Sequence, residues 1–252
     1  MALLAVKNAS LAFDQRVIWQ HLNLEIQPGE FIAVIGANGS GKSMLLKSIL
    51  GQQALSSGSI EFLGKPSGHG NTHIGYVPQH RAIDSGLPLK VIDAVRFGLD
   101  GHNFGLPLPS AKKKALALEA LAQVDAHHLA QTPVGELSGG EMQRVRVAQA
   151  VISHPKLILA DEPLSALDLH HQQVVSELVH QQSERFGAAV LFVTHDMSEA
   201  VYLADRVSLM HAGQIQAPLQ IDLPRPRHSA MRYTPAFNAL CEQLRHAMDA
   251  TL

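Results

Sequence analysis

The sequence predicts an α/β fold in which a mostly parallel sheet forms the core, with an antiparallel β side sheet and an inserted α-helical subdomain. Two observations carry this prediction. Short runs of β-branched residues alternate with segments of helical periodicity, which is the pattern of a parallel sheet joined by helices. Between about residues 87 and 131 the pattern becomes helical, which indicates an insertion in the α/β core. The opening strands are expected to form the side sheet.

The predicted elements follow one another in chain order. Apolar, β-branched runs predict strands at Leu3–Lys7, Leu22–Ile26, Phe31–Ile35, Ile74–Val77, Leu157–Leu159, Ala189–Val193 and Arg206–Met210. Helices are expected to start near Lys42, Ser110, Ser138, His170 and Met197, with a last helix near Pro235–Met248. A Gly/Pro-rich break at Gly98–Pro109 interrupts the helical stretch.

One domain is predicted for residues 1–217, with its helical subdomain at about 87–153, and a short C-terminal tail for residues 218–252. Four prolines follow Gly213 in this last part, namely Pro218, Pro224, Pro226 and Pro235. The segment Leu223–Arg227 is either a docking element or a plain extended tail. We favour the extended tail, because residues that precede proline prefer extended backbone.

The composition excludes several classes of protein. A formal net charge of −2 argues against a general nucleic-acid binder. Cys241 is the single cysteine, so neither an internal disulfide nor a cysteine zinc cluster is expected. The N-terminus has no basic start and no long apolar run, so no secretory signal is expected. The apolar runs are too short to span a bilayer. If the protein acts at a membrane, we expect it to do so as a soluble, peripheral subunit.

A glycine-rich loop between a predicted strand and a predicted helix carries the clearest chemistry. It reads Gly36-Ala37-Asn38-Gly39-Ser40-Gly41-Lys42-Ser43 and fits G-x-x-x-x-G-K-[ST]. Its backbone N–H groups and the helix N-terminus are expected to hold phosphate oxygens. Lys42 is expected to reach the β- and γ-phosphates, and Ser43 to ligate Mg²⁺. The alternative, a glycine-rich turn without a ligand, is disfavoured by this strand–loop–helix context.

Two adjacent acids, Asp161 and Glu162, end a predicted apolar strand. Because the chain turns where the strand ends, both acids can approach a nucleotide in different roles. Asp161 is expected to hold Mg²⁺, directly or through water. Glu162 is expected to polarise the attacking water. The alternative is a solvated acidic turn, which a phosphate loop in the same chain disfavours.

The stretch Leu137-Ser138-Gly139-Gly140-Glu141 predicts a second helix N-terminus that can bind an anion. Ser138 and Glu141 have the spacing of a capping box, which alone indicates only the start of a helix. Two glycines beside the cap leave backbone N–H groups uncovered, which favours an anion site. A chain with two such helix ends is expected to hold a nucleotide from both sides.

These motifs together resemble the ATP-binding subunit of ABC transporters, over roughly residues 3–217 and in the family's order. The resemblance identifies residues 36–43 as the Walker A loop, Leu137–Glu141 as the signature and Leu157–Glu162 as Walker B. It also identifies Gln79 in Tyr76-Val-Pro-Gln79 as the Q-loop glutamine, Ser165–Asp168 as the D-loop and His195 in Thr194-His195-Asp196 as the switch histidine.

The resemblance implies cofactors, partners and roles for residues. The cofactors are ATP and Mg²⁺, the latter ligated by Ser43, Gln79 and Asp161, and the catalytic residues are Glu162 and His195. Residues implied to contact the nucleotide are Phe13, Gly36, Ala37, Asn38, Gly39, Ser40, Gly41, Lys42, Ser43, Met44, Gln79, Ser138, Gly139, Gly140 and Asp161. Two copies are expected to pair head to tail, so that the signature of one completes the Walker A site of the other. Permease subunits, with a solute-binding protein indirectly, complete the implied assembly on the cytoplasmic face of the cell membrane.

The positions of Phe13 and His195 in the chain also indicate roles for them. Phe13 lies where the family usually has an aromatic residue against adenine, and the alternative is a core aromatic on an edge strand. His195 follows a predicted strand, and the carboxyl edge of a parallel sheet is where ligands bind. We interpret it as a residue that senses the γ-phosphate or orients the attacking water. The other fourteen histidines are interpreted as solvated surface residues.

The transported solute and the direction of transport stay open at this point. Compact length and complete motifs favour a bacterial importer over an exporter or a non-transport ABC protein. The stretches 76–89 and 133–138 resemble zinc/manganese import ATPases, whereas 196–206 and Leu223–Arg227 resemble nitrate/sulfonate/taurine import ATPases. We favour the metal ion, because the Q-loop region meets the permease, with the nitrate/sulfonate/taurine type as the alternative.

Overall fold

The computed structural model describes residues 1–79, 89–101, 110–163, 179–181, 185 and 187–249. The chain forms two compact units. The first unit consists of Met1–Asn71 and Ala189–Leu252, and the second unit of Thr72–Ala188. The predicted D-loop, Ser165–Asp168, and the helix predicted near His170 lie outside the described residues.

The first unit contains the predicted antiparallel side sheet. Its strands are β1 (Leu4–Phe13), β2 (Arg16–Ile26), β4 (Ser57–Phe62) and β5 (Lys65–Pro66), in the order β2-β1-β4-β5. The first two strands are longer than predicted. Asn8 and His21 adopt left-handed backbone, and the β1–β2 register shifts between Val6 and Ala9. This irregularity breaks the apolar alternation, so the sequence signal stops halfway along each strand.

The parallel strands of the first unit are β3 (Phe31–Ile35), β8 (Ala189–Thr194) and β9 (Arg206–His211). β3 pairs with both of the others in parallel, and short β10 (Gln214–Ile215) and β11 (Leu219–Gln220) pair antiparallel with β9. Every residue of β3 and β8 is buried. This is why these strands read as unbroken apolar runs rather than as alternating ones.

Three helices complete the first unit: α1 (Lys42–Ile49), α5 (Met197–Leu203) and α6 (Pro235–Asp249). The predicted last helix is therefore confirmed. α6 buries Phe237 and Leu244 and contacts α5 and β9. An amphipathic helix of this kind is held by packing of its apolar face rather than by its intrinsic propensity.

The segment Leu223–Arg227 is bound to the chain itself, and the extended-tail interpretation of it is wrong. The Arg227 guanidinium donates to the carbonyl oxygens of Val201, Tyr202 and Ala204 at the end of α5, over 2.8–3.1 Å. Arg225 donates to Asp205 Oδ1 over 2.6 Å. A guanidinium satisfies helix C-terminal carbonyls and complements the negative end of the helix dipole. Burial lowers the pKa of Arg227 to about 10.

The described residues of the second unit include two parallel strands and three α-helices that contact one another, with short 3-10 turns at His127–Leu129 and Val134–Glu136 and helical residues at 179–181 and 185. β6 (Ile74–Val77) and β7 (Leu157–Asp161) pair in parallel. The helices α2 (Val91–Asp100), α3 (Ala111–Gln123) and α4 (Gly139–Val151) contact one another, and α4 also contacts β6. A Cβ atom on Gly98 would lie 2.1 Å from the Gln149 carbonyl oxygen, so only glycine permits α2 to approach α4 this closely.

Neither a membrane span nor a metal cluster is found in the part of the chain that the structure describes. No helix there has both the length and the apolar character needed to cross a bilayer. No group of three or more His, Cys, Asp or Glu side chains in the same residues could hold a metal ion.

Candidate nucleotide-binding site

The phosphate loop owes its shape to glycine at two positions. Gly41 precedes α1 with φ of 99°, and a Cβ atom there would lie 2.8 Å from both Ile18 Cγ2 and Trp19 Cδ1. At Gly36 a Cβ atom would lie 2.4 Å from the Met210 carbonyl oxygen. Other residues would therefore push the loop off its supporting strands. The backbone conformation that the motif predicts is set by contacts from β2 and β9.

Lys42 is buried at the start of α1 and its ammonium group is turned toward the loop. It is 5% exposed, and Nζ donates to the carbonyl oxygens of Gly36 over 2.8 Å and Ala37 over 3.0 Å. Residues 37–39 form the exposed crest of the loop, and Ser43 and Met44 follow on α1 with half-buried side chains. A cation under the loop and backbone amides around it make a chemically suitable site for phosphate.

A cavity of about 430 Å³ lies beside this loop, within the first unit. Its walls come from β2 (Val17–Gln20), from Gly39 and Ser40, and from the turn Ala212–Gln214. Two buried polar atoms on this wall, Trp19 Nε1 and Ser40 Oγ, have no hydrogen-bond partner in the described structure. Trp19 and Ser40 line the cavity, but these two polar atoms are themselves shielded from solvent.

Phe13 ends β1 next to this cavity wall, and its side chain is 42% exposed. Val17, which lines the cavity, pairs with Ala12 across the β1–β2 hairpin. The alternative of a core aromatic is therefore wrong for Phe13. An exposed ring at this end of the hairpin is available for stacking on a flat ring system.

His195 lies at the same sheet edge as the phosphate loop. In the parallel register of β3 and β8, Ile35 pairs with Thr194, so Gly36 and His195 are the next residues on neighbouring strands. The His195 side chain is exposed, whereas Thr194 before it is buried. This confirms the expected place of His195 at the carboxyl edge of the sheet, where ligands bind in open parallel sheets.

The acidic pair and Gln79 meet in the second unit. The register of β6 and β7 pairs Val77 with Ala160, so the residues that follow both strands leave the sheet at one edge. Gln79 Nε2 donates to Glu162 Oε2 over 3.0 Å. Asp161 is buried, and the Tyr76 hydroxyl lies 3.5 Å from its Oδ2 atom. Gln79 and Glu162 are therefore in contact after the two strands, and Asp161 lies beside Tyr76.

Glu162 has a strained backbone. Its φ of 42° lies in the left-handed region, which a non-glycine residue occupies at a cost of about 1–2 kcal/mol. This turn directs Glu162 away from the strand direction that Asp161 follows, so the two carboxylates face different surroundings. Residues held in such backbone cluster at functional sites, where the surrounding structure maintains the strain.

The signature segment forms the predicted capping box at the start of α4. Ser138 Oγ accepts from the Glu141 amide, and the Glu141 carboxylate accepts from the Ser138 amide over 2.8 Å. The Ser138 hydroxyl also donates to Glu141 Oε2 over 2.7 Å. These bonds, with the positive charges of Arg144 and His128, hold the pKa of the Glu141 carboxyl below its usual value. The negative charge therefore stays at this helix end.

Sequence reasoning missed the contacts of two residues, Glu199 and Arg227. The Glu199 amide donates to Asp196 Oδ1 over 3.0 Å. Its carboxylate accepts from the Thr194 hydroxyl over 2.8 Å. Arg227, described above, was placed in a tail. Two features of the sequence could have indicated these contacts. Thr194 ends an apolar strand five residues before Glu199, and Arg225 and Arg227 are two residues apart.

The family comparison agrees with this geometry. The family model described as ABC transporter matches residues 19–165 of the 252. The match spans the phosphate loop, the signature and the acidic pair. The chain belongs to the ABC transporter family. Its fold is the ABC cassette of the P-loop NTPases, as predicted, and its enzymatic activity is ATP hydrolysis of the kind coupled to transport.

Curated relatives are similar over nearly the whole chain. The aliphatic sulfonates import ATP-binding protein SsuB of Ralstonia nicotianae is 38% identical over 241 residues, which cover 96% of this chain and 80% of that protein. Relatives in Pseudomonas and Yersinia carry the same name. The zinc/manganese resemblance is therefore not supported by these relatives. It rested on two short stretches, 76–89 and 133–138, and residues 80–88 of the first lie outside the described structure.

Two solved structures have the same fold. One is an inward-facing ABC transporter assigned to the metal-chelate type, with 32% identity and a TM-score of 0.77, covering 88% of this chain and 84% of that chain. The other is the ATP-binding cassette MJ0796, a dimer in a post-hydrolysis state with ADP and Pi. It is 25% identical with a TM-score of 0.74 and covers 88% of this chain and 100% of that one.

Proposed function

We propose that this chain is the ATP-hydrolysing subunit of an importer, bound to permease subunits at the cytoplasmic face of the membrane, and that it powers uptake of an aliphatic sulfonate. The observation that carries this proposal is the similarity to sulfonate import ATP-binding proteins along 96% of the chain. A solute-binding protein would deliver the solute to the permease. The subunit consists of the cassette at 1–217, with its helical subdomain at about 87–153, and a C-terminal part at 218–252.

The phosphate loop is proposed to hold the triphosphate. Backbone amides from Gly36 to Met44 surround the phosphate oxygens, and Lys42 exchanges its loop carbonyls for the β- and γ-phosphates. The present bonds of Lys42, at 2.8 and 3.0 Å, are to neutral acceptors. Bonds to anionic oxygens are stronger, so the exchange is favourable. Phe13 is proposed to stack on adenine.

Ser43, Gln79 and Asp161 are proposed to hold Mg²⁺. They offer a hydroxyl, an amide carbonyl and a carboxylate, all oxygen donors of the kind that Mg²⁺ prefers, so the donor set fits. Bound there, Mg²⁺ would neutralise charge on the phosphates. Gln79 uses its amide nitrogen toward Glu162, which leaves its amide oxygen for the metal.

Glu162 and His195 are proposed as the catalytic residues. Glu162 accepts a hydrogen bond from the attacking water and draws off its proton, and Gln79 holds the carboxylate in place. His195, exposed at the sheet edge next to the loop, contacts the γ-phosphate or orients the water. The left-handed backbone at Glu162 fixes the direction of its side chain in advance.

A second copy of the same chain is proposed as the partner in hydrolysis. Ser138, Gly139 and Gly140 at the start of α4 would contact the γ-phosphate that the other copy's phosphate loop holds. Hydrolysis removes this bridge and lets the dimer open. The change would reach the permease through Gln79 and residues 81–104, of which 81–88 and 102–104 lie outside the described residues.

The experiment that tests this function is a reconstituted transport assay. The chain is co-purified with the permease encoded beside its gene, placed in proteoliposomes and supplied with the neighbouring binding protein. We expect ATP hydrolysis and uptake to rise with ethanesulfonate as the solute and to stay at the basal rate with Zn²⁺. Stimulation by Zn²⁺ alone would replace the sulfonate by the metal ion, and outward transport or no permease partner would refute the importer.

A further inference from the structure

The turn that carries His195 is tied together by one hydroxyl group. Thr194 ends β8 with its side chain buried, and its hydroxyl donates to the Glu199 carboxylate over 2.8 Å. The same oxygen accepts from the Asp196 amide over 3.1 Å. A hydroxyl has one hydrogen, so donation to Glu199 leaves its lone pairs for the Asp196 amide. The residues on both sides of His195 are thereby fixed by Glu199.

Glu199 does not act here as an ordinary third residue of a helix. In a capping box this glutamate would reach back to the amide of the cap residue, Asp196. That amide is instead bonded to Thr194, and Asp196 caps α5 with its own side chain. The start of the helix is therefore satisfied without the Glu199 carboxylate. What the carboxylate adds is the fixed orientation of Thr194.

Burial of the Glu199 carboxyl group lowers the stability of the folded protein, because a charged carboxylate loses its hydration there. Glu199 is 4% exposed, and burial raises its pKa to about 7. The Thr194 hydrogen bond lowers the pKa, the Asp196 charge raises it, and positive charge at His195 and Arg232 lowers it. An apolar side chain of similar size would avoid this desolvation. A group retained against a stability cost next to a reacting residue is a candidate for function.

We propose that Glu199 is a positioning residue for ATP hydrolysis, which fixes the His195 turn through its hydrogen bond to Thr194. This inference rests on the proposed role of His195. His195 lies between Thr194 and Asp196. Both of these residues are held by the bonds that the Thr194 hydroxyl makes, so the Thr194–Glu199 pair fixes the backbone on either side of His195.

The first test removes the acceptor while keeping its volume. Glu199→Leu is expected to lower kcat for ATP hydrolysis about tenfold or more, with KM for ATP within about twofold, because misplacement of a catalytic group affects turnover rather than binding. Glu199→Gln retains an acceptor for Thr194 and should keep kcat within about threefold. An unchanged kcat in folded Glu199→Leu, or an effect on KM alone, would overturn the inference.

A second pair of variants changes the donor of the same hydrogen bond, Thr194, and keeps the inference testable if Glu199→Leu does not fold. Thr194→Val removes the hydroxyl with little change of shape and should match Glu199→Leu in kcat. Thr194→Ser restores the hydroxyl and should return kcat to near the parent rate. Equal activity of the valine and serine variants would show that the bond does not position His195.

The combination with His195→Ala separates this inference from the proposed role of His195. If His195 acts in hydrolysis, His195→Ala lowers kcat, and Glu199→Leu should then lower it by less than about twofold further. A full additional loss in that background means that Glu199 acts independently of His195. Normal turnover of His195→Ala would refute the proposed role of His195 itself, which is a different outcome.

Discussion

The N-termini of α1 and α4 are both proposed to meet phosphate, yet they are built in opposite ways. α1 follows left-handed Gly41, has no side-chain cap and has no acidic residue in its first turn. α4 follows Ser138, whose side chain caps it, and carries Glu141 in its first turn within a complete capping box. No side chain caps the N-terminus of α1, whereas Ser138 and Glu141 cap the N-terminus of α4.

This difference indicates that the two ends bind phosphate under different conditions. At α1 no side chain caps the backbone amides and no acidic residue lies in the first turn, so the helix end and the Lys42 ammonium attract an anion. At α4 the Glu141 carboxylate, ionised because its pKa is lowered, occupies the Ser138 hydroxyl and repels a second anion. The first end is therefore suited to hold a nucleotide by itself, and the second to add to one already held elsewhere.

The largest effect that distinguishes the two ends is expected from Lys42→Ala. Loss of a charge-assisted contact of about 1.5–3 kcal/mol should weaken ATP binding by roughly 10- to 150-fold. Titration calorimetry measures this directly. Lys47→Ala, in the last turn of the same helix, is the matched control and should bind ATP normally. Equal affinities for the two variants would mean that Lys42 does not contact phosphate.

Ser138→Ala is expected to separate binding from hydrolysis. The monomer should bind ATP with unchanged affinity, because its own loop holds the nucleotide, while hydrolysis falls about tenfold or more. The loss of a helix cap also costs about 1 kcal/mol of stability. Ser110→Ala controls for this, since Ser110 caps α3 in the same way by accepting from the Lys113 amide.

If Ser110→Ala slows hydrolysis as much as Ser138→Ala, the effect of Ser138 is one of stability and not of contact with nucleotide. If Ser138→Ala loses ATP binding in the monomer, the two ends do not differ in the way described.

A smaller effect is expected from Glu141→Gln, which removes the charge and keeps the capping box. Relief of repulsion worth about 0.3–1 kcal/mol at a helix end should raise kcat/KM about two- to fivefold at low salt, and less at high salt. Steady-state ATPase assays at two ionic strengths provide the measurement. Glu136→Gln, an exposed acid outside the helix, should have no effect. A decrease with Glu141→Gln would mean that its carboxylate assists the site.

Much of this site could be predicted from the sequence, because its motifs encode local backbone. The loop at 36–43, the acids after β7 and the cap at Ser138 each depend on residues close in the chain. Two sets of contacts were missed, the short-range bond between Thr194 and Glu199 and the long-range bonds of Arg227. Arg227 reaches the end of α5 over more than twenty residues. The identity of the transported solute could not be predicted for a different reason, because the proposed subunit does not contact the solute.

The smallest expected effect is on how protein stability depends on pH. Glu141 at the N-terminus of α4 should contribute to this dependence, and the N-terminus of α1 should not. Because the pKa of Glu141 is lowered in the folded state, its stabilising contribution is present above the usual value of 4.5 and is lost as pH falls below it. Thermal melts of the parent protein and Glu141→Gln should therefore differ above about pH 5, and the difference should disappear as pH falls through the lowered pKa of Glu141. The α1 end has no acid in its first turn and gives no such contribution. A constant difference at all pH values would contradict this.

The most direct test of the account is whether the α4 end of one copy binds the nucleotide of the other. Glu162→Gln, which should bind ATP without hydrolysing it, is expected to form an ATP-dependent dimer in sedimentation equilibrium. Adding Ser138→Ala should raise the dissociation constant of that dimer about tenfold or more, equivalent to about 1.4 kcal/mol, while ATP still binds each monomer. Dissociation constants within twofold of each other would contradict the account.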